Sequence, residues 1–202
     1  YPRLAPGFAV AQANLYTDVQ LADGIRLNLT TYLSARHHNE AWVKGGYMQF
    51  DKLPFKGEIW NKIMSVTTIK VGHMEINYGD QHYRRTDGGH SAYNPFIENY
   101  IMDAFATEVA GEVYVQKNGL LGMVAVSNGL INGGHQEPIY TGTTTFKRKA
   151  SVYAKLAYDK QLQEKVRVRV AGSLYHNNSD GRSTLFGGDR TGSNYFFVME
   201  PA

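Results

Sequence analysis

An all-β fold, an antiparallel β-barrel that crosses a membrane, is what this sequence predicts, and three observations predict it. Apolar and polar residues alternate with period two along arms near the ~9–11 residues of a tilted membrane strand, longer than the ~5–6 of a soluble one. Tight-turn dipeptides and long polar connections alternate along the chain, the habit of outer-membrane barrels. No run reaches the roughly 18 apolar residues of a membrane helix, so no membrane-spanning helix is encoded.

The elements follow in order. From Ala9 to Leu21 one face reads Ala9, Ala11, Ala13, Leu15, Thr17, Val19 and Leu21, and the other Val10, Gln12, Asn14, Tyr16, Asp18 and Gln20. Successive strand side chains point to opposite sides, so one face is dry and one wet. Asp23-Gly24 signals a tight turn. The returning arm puts Ile25, Leu27, Leu29, Thr31, Leu33 and Ala35 opposite Arg26, Asn28, Thr30, Tyr32, Ser34 and Arg36. A third strand, Ala41 to Phe50, alternates more weakly. Gly57 to Ser65 reads as a short helix, and a fourth strand starts near Val66. A polar, aromatic, Gly-rich loop is expected over 77–104. The fifth strand sets Thr107, Val109, Gly111, Val113 and Val115 against Glu108, Ala110, Glu112 and Tyr114. Asn118-Gly119 turns the chain into a sixth, Leu120 to about Ser127. The seventh, Ala150 to Tyr158, sets Val152, Ala154 and Leu156 against Ser151, Tyr153 and Lys155. The eighth is "VRVRVAGSLY", in which Val166, Val168, Val170, Gly172 and Leu174 oppose Arg167, Arg169, Ala171, Ser173 and Tyr175. A ninth begins near Tyr195.

Composition is compatible with this. The 202 residues suffice for one sizeable domain, 19% are charged and 12% aromatic. No cysteine means neither a disulfide framework nor a thiolate metal site. A net charge of +3 is too mild to argue for a nucleic-acid partner. Mean hydropathy of -0.38 does not oppose a membrane setting, because a wet lumen and loops dilute the apolar half. A soluble β-sandwich or lipocalin-like barrel carries the same alternation and stays open as an alternative.

Beyond periodicity, the run "IKVGHMEINYGDQHYRRTDGGHSAYNPFIENYIMDAF" stands out, with "TEVAGEVYVQKNGLLGMVAVSNG", "KASVYAKLAYDKQLQEKVRVRVAGSLYHN" and "LFGGDRTGSNYFFVME". Together, over Leu53 to Met199, these resemble porins of Bacteroidota outer membranes, similar to the phosphate-selective porin O/P superfamily. The resemblance implies a single-chain barrel of roughly 16–18 strands. It further implies an outer-membrane location, contact with the lipid bilayer and lipopolysaccharide, a possible homotrimer or membrane complex, and passive diffusion of small hydrophilic solutes. It implies no cofactor and no catalysis. Residues 1–202 are then expected to form a single, incomplete barrel domain. About nine strands cannot close a standard bacterial barrel, and the chain ends in Pro201-Ala202 where a terminal aromatic is usual.

Selection of anions by wall charges is the candidate chemistry. Arg26, Arg36, Lys155, Arg167 and Arg169 fall on the wet face, where rows of cations select anions and arginine suits oxyanions. The competing reading pairs them with Asp18, Glu108, Glu112 and Asp159 to brace the wall. Asp80, His82, Arg84, Arg85 and Asp87 lie in the long loop, which by likeness to general porins folds inward as a constriction; the alternative is a solvated surface loop. His37-His38, His73, His82 and His90 lack zinc-type spacing, so no metal is expected. G-x-S-x-G, Walker A and H-E-x-x-H motifs are missing from the sequence. A rim enzyme using His82 with Asp80 or Asp87 and Ser91 is the least favoured alternative, and a structural or scaffolding barrel the other.

Overall fold

Period-two sequence becomes an antiparallel meander. The computed structural model describes residues 12–34, 42–79, 107–129, 139–141, 144–146 and 149–177. In chain order these hold β1 (Gln12–Ala22), β2 (Ile25–Ser34), β3 (Trp42–Phe50), α1 (Glu58–Met64), β4 (Thr67–Glu75), β5 (Thr107–Lys117), β6 (Leu120–Ser127), β7 (Ile139–Thr141), β8 (Thr144–Phe146), β9 (Ser151–Gln163) and β10 (Val166–His176). Eight strands form one sheet in the order β1-β2-β3-β4-β5-β6-β9-β10, each antiparallel to its neighbour. β7 and β8 pair only with each other. Sequence order is thus sheet order, apart from this small hairpin inserted between β6 and β9.

β1 and β10 are both edges, so the sheet is not closed into a barrel among the described residues. The expected ninth strand near Tyr195 lies outside the described residues. The small hairpin falls in what the sequence suggests is an irregular loop; three-residue strands are too short to display a period.

Elsewhere the expected elements form with shifted ends. β9 continues five residues beyond Tyr158. Its pairing with β10 persists there, although of the residues past Tyr158 only Leu162 is apolar. The weak alternation of β3 has a local cause. Thr30 pairs with Gly45 and Thr31 with Val43, leaving Lys44 as the extra residue of a bulge. The bulge shifts the phase of the pleat, so a strict period-two reading fails across it.

The two-residue turns all lie at one end of the sheet: Asp23-Gly24, Asn118-Gly119 and Glu164-Lys165. Asn118 (φ 52°) and Gly119 (φ 86°) both take left-handed backbone, the geometry that suits a two-residue hairpin. The α1 connection joins the same end, because the Asp51 N–H donates to the Gly24 carbonyl at 2.7 Å. The β2–β3, β4–β5 and β6–β9 connections leave from the other end.

The two faces differ as the sequence predicts. On the outer face Leu15, Val19, Leu27, Val71, Val109, Val113, Val124, Val126, Leu156, Val170 and Leu174 are exposed, with Val170 at 65% and Leu156 at 68%. No layer of protein covers them among the described residues. Soluble monomers rarely leave apolar patches larger than a few hundred Å² open to water. The inner face holds the core: Met74, Ile76, Ala110, Met123, Ala125 and Tyr153, ringed by Tyr47, Tyr78, Tyr114, Leu121 and Tyr175.

Gly72 sets how closely β3 and β4 approach on that inner face. It has φ 152°, and a Cβ there would lie 2.4 Å from the Gly46 carbonyl oxygen and 2.5 Å from the Tyr47 Cα. Gly122, by contrast, has open space where its Cβ would be. Gly72→Ala is expected to cost at least ~1–3 kcal/mol, while Gly122→Ala stays within about 1 kcal/mol of wild type. Thermal unfolding of both variants under the same conditions, followed by circular dichroism, checks the contrast; equal melting temperatures would refute it.

Candidate functional site

Cross-strand register assembles the inner face row by row. Gln49, Lys70, Glu112, Ala125, Tyr153 and Tyr175 are successive partners across six strands. Neighbouring strands lie ~4.8 Å apart, so Tyr153 is two strands from Glu112 with only the Ala125 methyl between. That small residue lets the Tyr153 hydroxyl reach Glu112 Oε1 at 2.9 Å. The Tyr114 hydroxyl donates to Glu112 Oε2 and accepts from Asn77 Nδ2 at 3.0 Å. Glu108, two pleat repeats away on the same face, accepts from Ser127, from Ser151 and from the Tyr175 hydroxyl at 2.8 Å. Both carboxylates are 2% exposed or less. A buried carboxylate is costly unless its oxygens are hydrogen-bonded, and these hydroxyls meet that need.

A cavity of about 560 Å³ opens on this face. Lys44, Lys70, Lys155 and Arg169 bring cations to its wall, with Glu75 and Glu112 as carboxylates and Tyr16, Tyr47 and Tyr114 as aromatics. Most of its cations are tied down. Lys44 Nζ lies 2.9 Å from Glu75 Oε1. Lys155 Nζ donates to Asn77 Oδ1 at 3.0 Å and to the Gly79 carbonyl at 2.8 Å. Arg169 Nη1 meets Asp159 Oδ2 at 2.9 Å.

The residues expected to select anions all lie on the inner face where they are described, but in different roles. Arg167 clasps Asp159 with two bonds of 2.6 and 2.7 Å, sharing it with Arg169. Arg26 Nη2 meets Asp51 Oδ2 at 3.0 Å. These arginines brace the wall, and of the carboxylates expected to pair with them Asp159 does so. Asp18 instead accepts from Asn28 Nδ2 at 2.9 Å, and Glu108 and Glu112 take hydroxyls. Arg36 lies outside the described residues, as do Asp80, His82, Arg84, Arg85, Asp87, Ser91 and His37, His38 and His90.

The entry to the long loop is described, however. Ile76 is fully buried, and the Gly79 N–H donates to Ser173 Oγ on β10 at 3.0 Å. Residues 76–79 therefore leave β4 and run across the inner face toward β10. His73 Nε2 sits 2.7 Å from Thr107 Oγ1. Among the described residues no group of three or more His, Asp or Glu side chains could hold a metal.

Two features escaped sequence reasoning. Lys70 on β4 has its ammonium 4.9 Å from the Tyr47 ring centre and 5.2 Å from that of Tyr114. The bulge residue Lys44 was hidden by the phase shift. A lysine between isoleucine and valine, on the same strand face as a glycine two residues on, was the available signal for the first. No family model, curated protein or solved structure matches this chain.

Two outcomes follow from these contacts. Lys155→Met should release residues 76–79 from the wall, seen as faster amide exchange there with β5 and β6 unchanged; unaltered exchange would show that Lys155 is no latch. The second concerns Asp51, which lies beyond the end of β3. Burial raises its carboxyl, but hydrogen bonds from Thr68, Gln49 and Arg26 outweigh burial and hold it below the ordinary 3.8. A carboxyl lowered by folding adds stability above its unfolded value and loses it as pH falls through the folded one. Wild-type stability should thus fall as pH drops below about 4. Asp51→Asn should flatten that part of the profile, measured by thermal unfolding between acid and neutral pH.

Proposed function

We propose that this chain forms the wall of an outer-membrane β-barrel acting as a porin, a passive diffusion channel for small hydrophilic or anionic solutes. One observation carries the reading. The sheet is dry on the side that no described residue covers, where an open apolar groove lies along Gly122 and Gly172, and polar on the side that holds the lysine-lined cavity, the reverse of a soluble sandwich. Hydrocarbon is the solvent that suits uncovered valines and leucines along arms of this length, since every backbone group in a paired strand is satisfied. Two-residue turns at one end and long connections at the other fit the periplasmic and outer ends of such a barrel. The likeness to Bacteroidota porins supports the same assignment. In this reading no bond is made or broken, no cofactor takes part, and the lumen sorts solutes by size and by the field of its wall.

A second reading, a scaffolding barrel with a filled interior, is favoured by a specific feature. Ile76 and the tyrosine–carboxylate network occupy part of the inner face, as a plug would.

Reconstitution in planar bilayers separates the two. The porin reading expects discrete openings with weak anion preference in a salt gradient. Persistent silence at high protein load favours the scaffold, and partition of the chain into buffer without detergent sinks both.

A further inference from the structure

The apolar outer face is not smooth. On four adjacent strands the register lays out rows of outward side chains. One row is Val113, Val124, Ala154 and Leu174, and the next toward the two-residue turns is Val115, Gly122, Leu156 and Gly172. Leu156 therefore stands as a ridge, 68% exposed, with a glycine on either side. A Cβ at Gly122 or Gly172 would meet no atom within 4 Å. The missing side chains leave an open groove of about 730 Å³, lined mainly by valine, leucine, alanine and glycine.

One row further the chemistry changes. Lys117, Leu120, Tyr158 and Val170 are the next partners, and Lys160 follows Tyr158 on the same face, paired with Val168. Both lysines are exposed. The ion pairs among the described residues engage Arg26, Lys44, Lys52, Arg167 and Arg169, and neither Lys117 nor Lys160. The hairpin brings the two together. Lys117 enters the Asn118-Gly119 turn, and a Cβ at Gly119 would lie 3.2 Å from the Lys160 Cβ. β5 and β9 are two strands, or ~10 Å, apart, a gap that two flexible four-carbon stems close around one phosphate. The groove thus ends in two ammonium groups and a phenol, the polar tips that suit a membrane surface.

We propose that this groove binds one anionic glycerophospholipid, with an acyl chain along Gly122 and Gly172 and the phosphodiester held by Lys117 and Lys160. Charge complementarity selects this occupant: a neutral lipid or an apolar protein surface would fill the groove and leave both ammonium groups without a counter-charge. Depth agrees. From Lys117 back to Gly111, whose row partners Val126 and Val152 are also apolar, is six residues. At ~3.4 Å per residue and ~45° tilt this is ~14 Å of depth, near the half of a ~30 Å hydrocarbon core that one leaflet supplies. The inference rests on the barrel reading for its membrane setting. In that setting the two-residue turns face the periplasm, and the leaflet on that side is phospholipid.

Native mass spectrometry of the full chain in non-ionic detergent tests this, with dioleoylphosphatidylglycerol or dioleoylphosphatidylcholine added at equal concentration. Wild type should retain one phosphatidylglycerol per chain and severalfold less phosphatidylcholine, a comparison that needs no variant. Lys117→Gln combined with Lys160→Gln should erase the preference. Gly122→Leu should lower retention of both lipids, and Lys149→Gln, exposed beyond the other end of β9, should alter neither. Equal retention of the two lipids by wild type, or a preference that survives loss of both lysines, overturns the proposal. A lipid-free dimer broken by Gly122→Leu would assign the groove to a second copy of the chain and overturn it as well. A chain that stays in buffer without detergent removes the barrel reading and the inference together. One that needs detergent, opens channels and retains no phosphatidylglycerol removes the inference alone.

Discussion

Register is the constraint on which everything else here depends. A slip of β5 by one residue would carry Glu112 to the apolar surface and turn a valine toward Tyr153. Because strand side chains alternate strictly, such an error cannot be local; it inverts a whole strand. Two buried carboxylates make the wrong register expensive, since neither could find hydroxyl partners on the outer face. The left-handed Asn118-Gly119 turn holds β5 and β6 in phase up to its edge. Phase changes at three bulges, at Leu21, Lys44 and Leu162, and at the second of them an extra lysine reaches Glu75.

Side-chain size along the rows matters as much as polarity. Ala125 and Ala110 are small where Tyr153 must cross and where β5 approaches β4, and Gly72 has no side chain where the Tyr47 Cα and Cβ come close. Large residues therefore reach across two strands instead of clashing with their nearest neighbours. That reach is what allows hydroxyls from β5, β9 and β10 to converge on Glu108 and Glu112. It also makes the inner face a connected polar network, in which removing one donor leaves a buried acceptor short.

Much of the sheet was legible from pattern alone. The faces of β5 and β9 follow their sequence assignment from Glu108 to Tyr114 and from Ser151 to Tyr158, because period two survives in an antiparallel strand without a bulge, whereas Thr107 is buried. The site was legible only by side. Arg26, Lys155, Arg167 and Arg169 lie on the wet face as expected, yet their partners were open: Asp159 sits eight and ten residues before the arginines it binds, while Glu108 and Glu112 were equally plausible by composition. Lys70 went unnoticed because its cage is built by Tyr47 and Tyr114, on two other strands and far away in sequence. The Lys44 bulge had no signature in the sequence, and for Lys70 the sequence showed the lysine but not the rings that meet it.

Alternation and turn chemistry were enough to specify an antiparallel sheet with one apolar and one polar face, since both follow from the local geometry of a pleated strand. Which charges are neutralised, which one lies between rings, and how the start of the long loop crosses the inner wall are different in kind. They depend on distances between residues on separate strands, and such distances exist only once the rows of the sheet are in place.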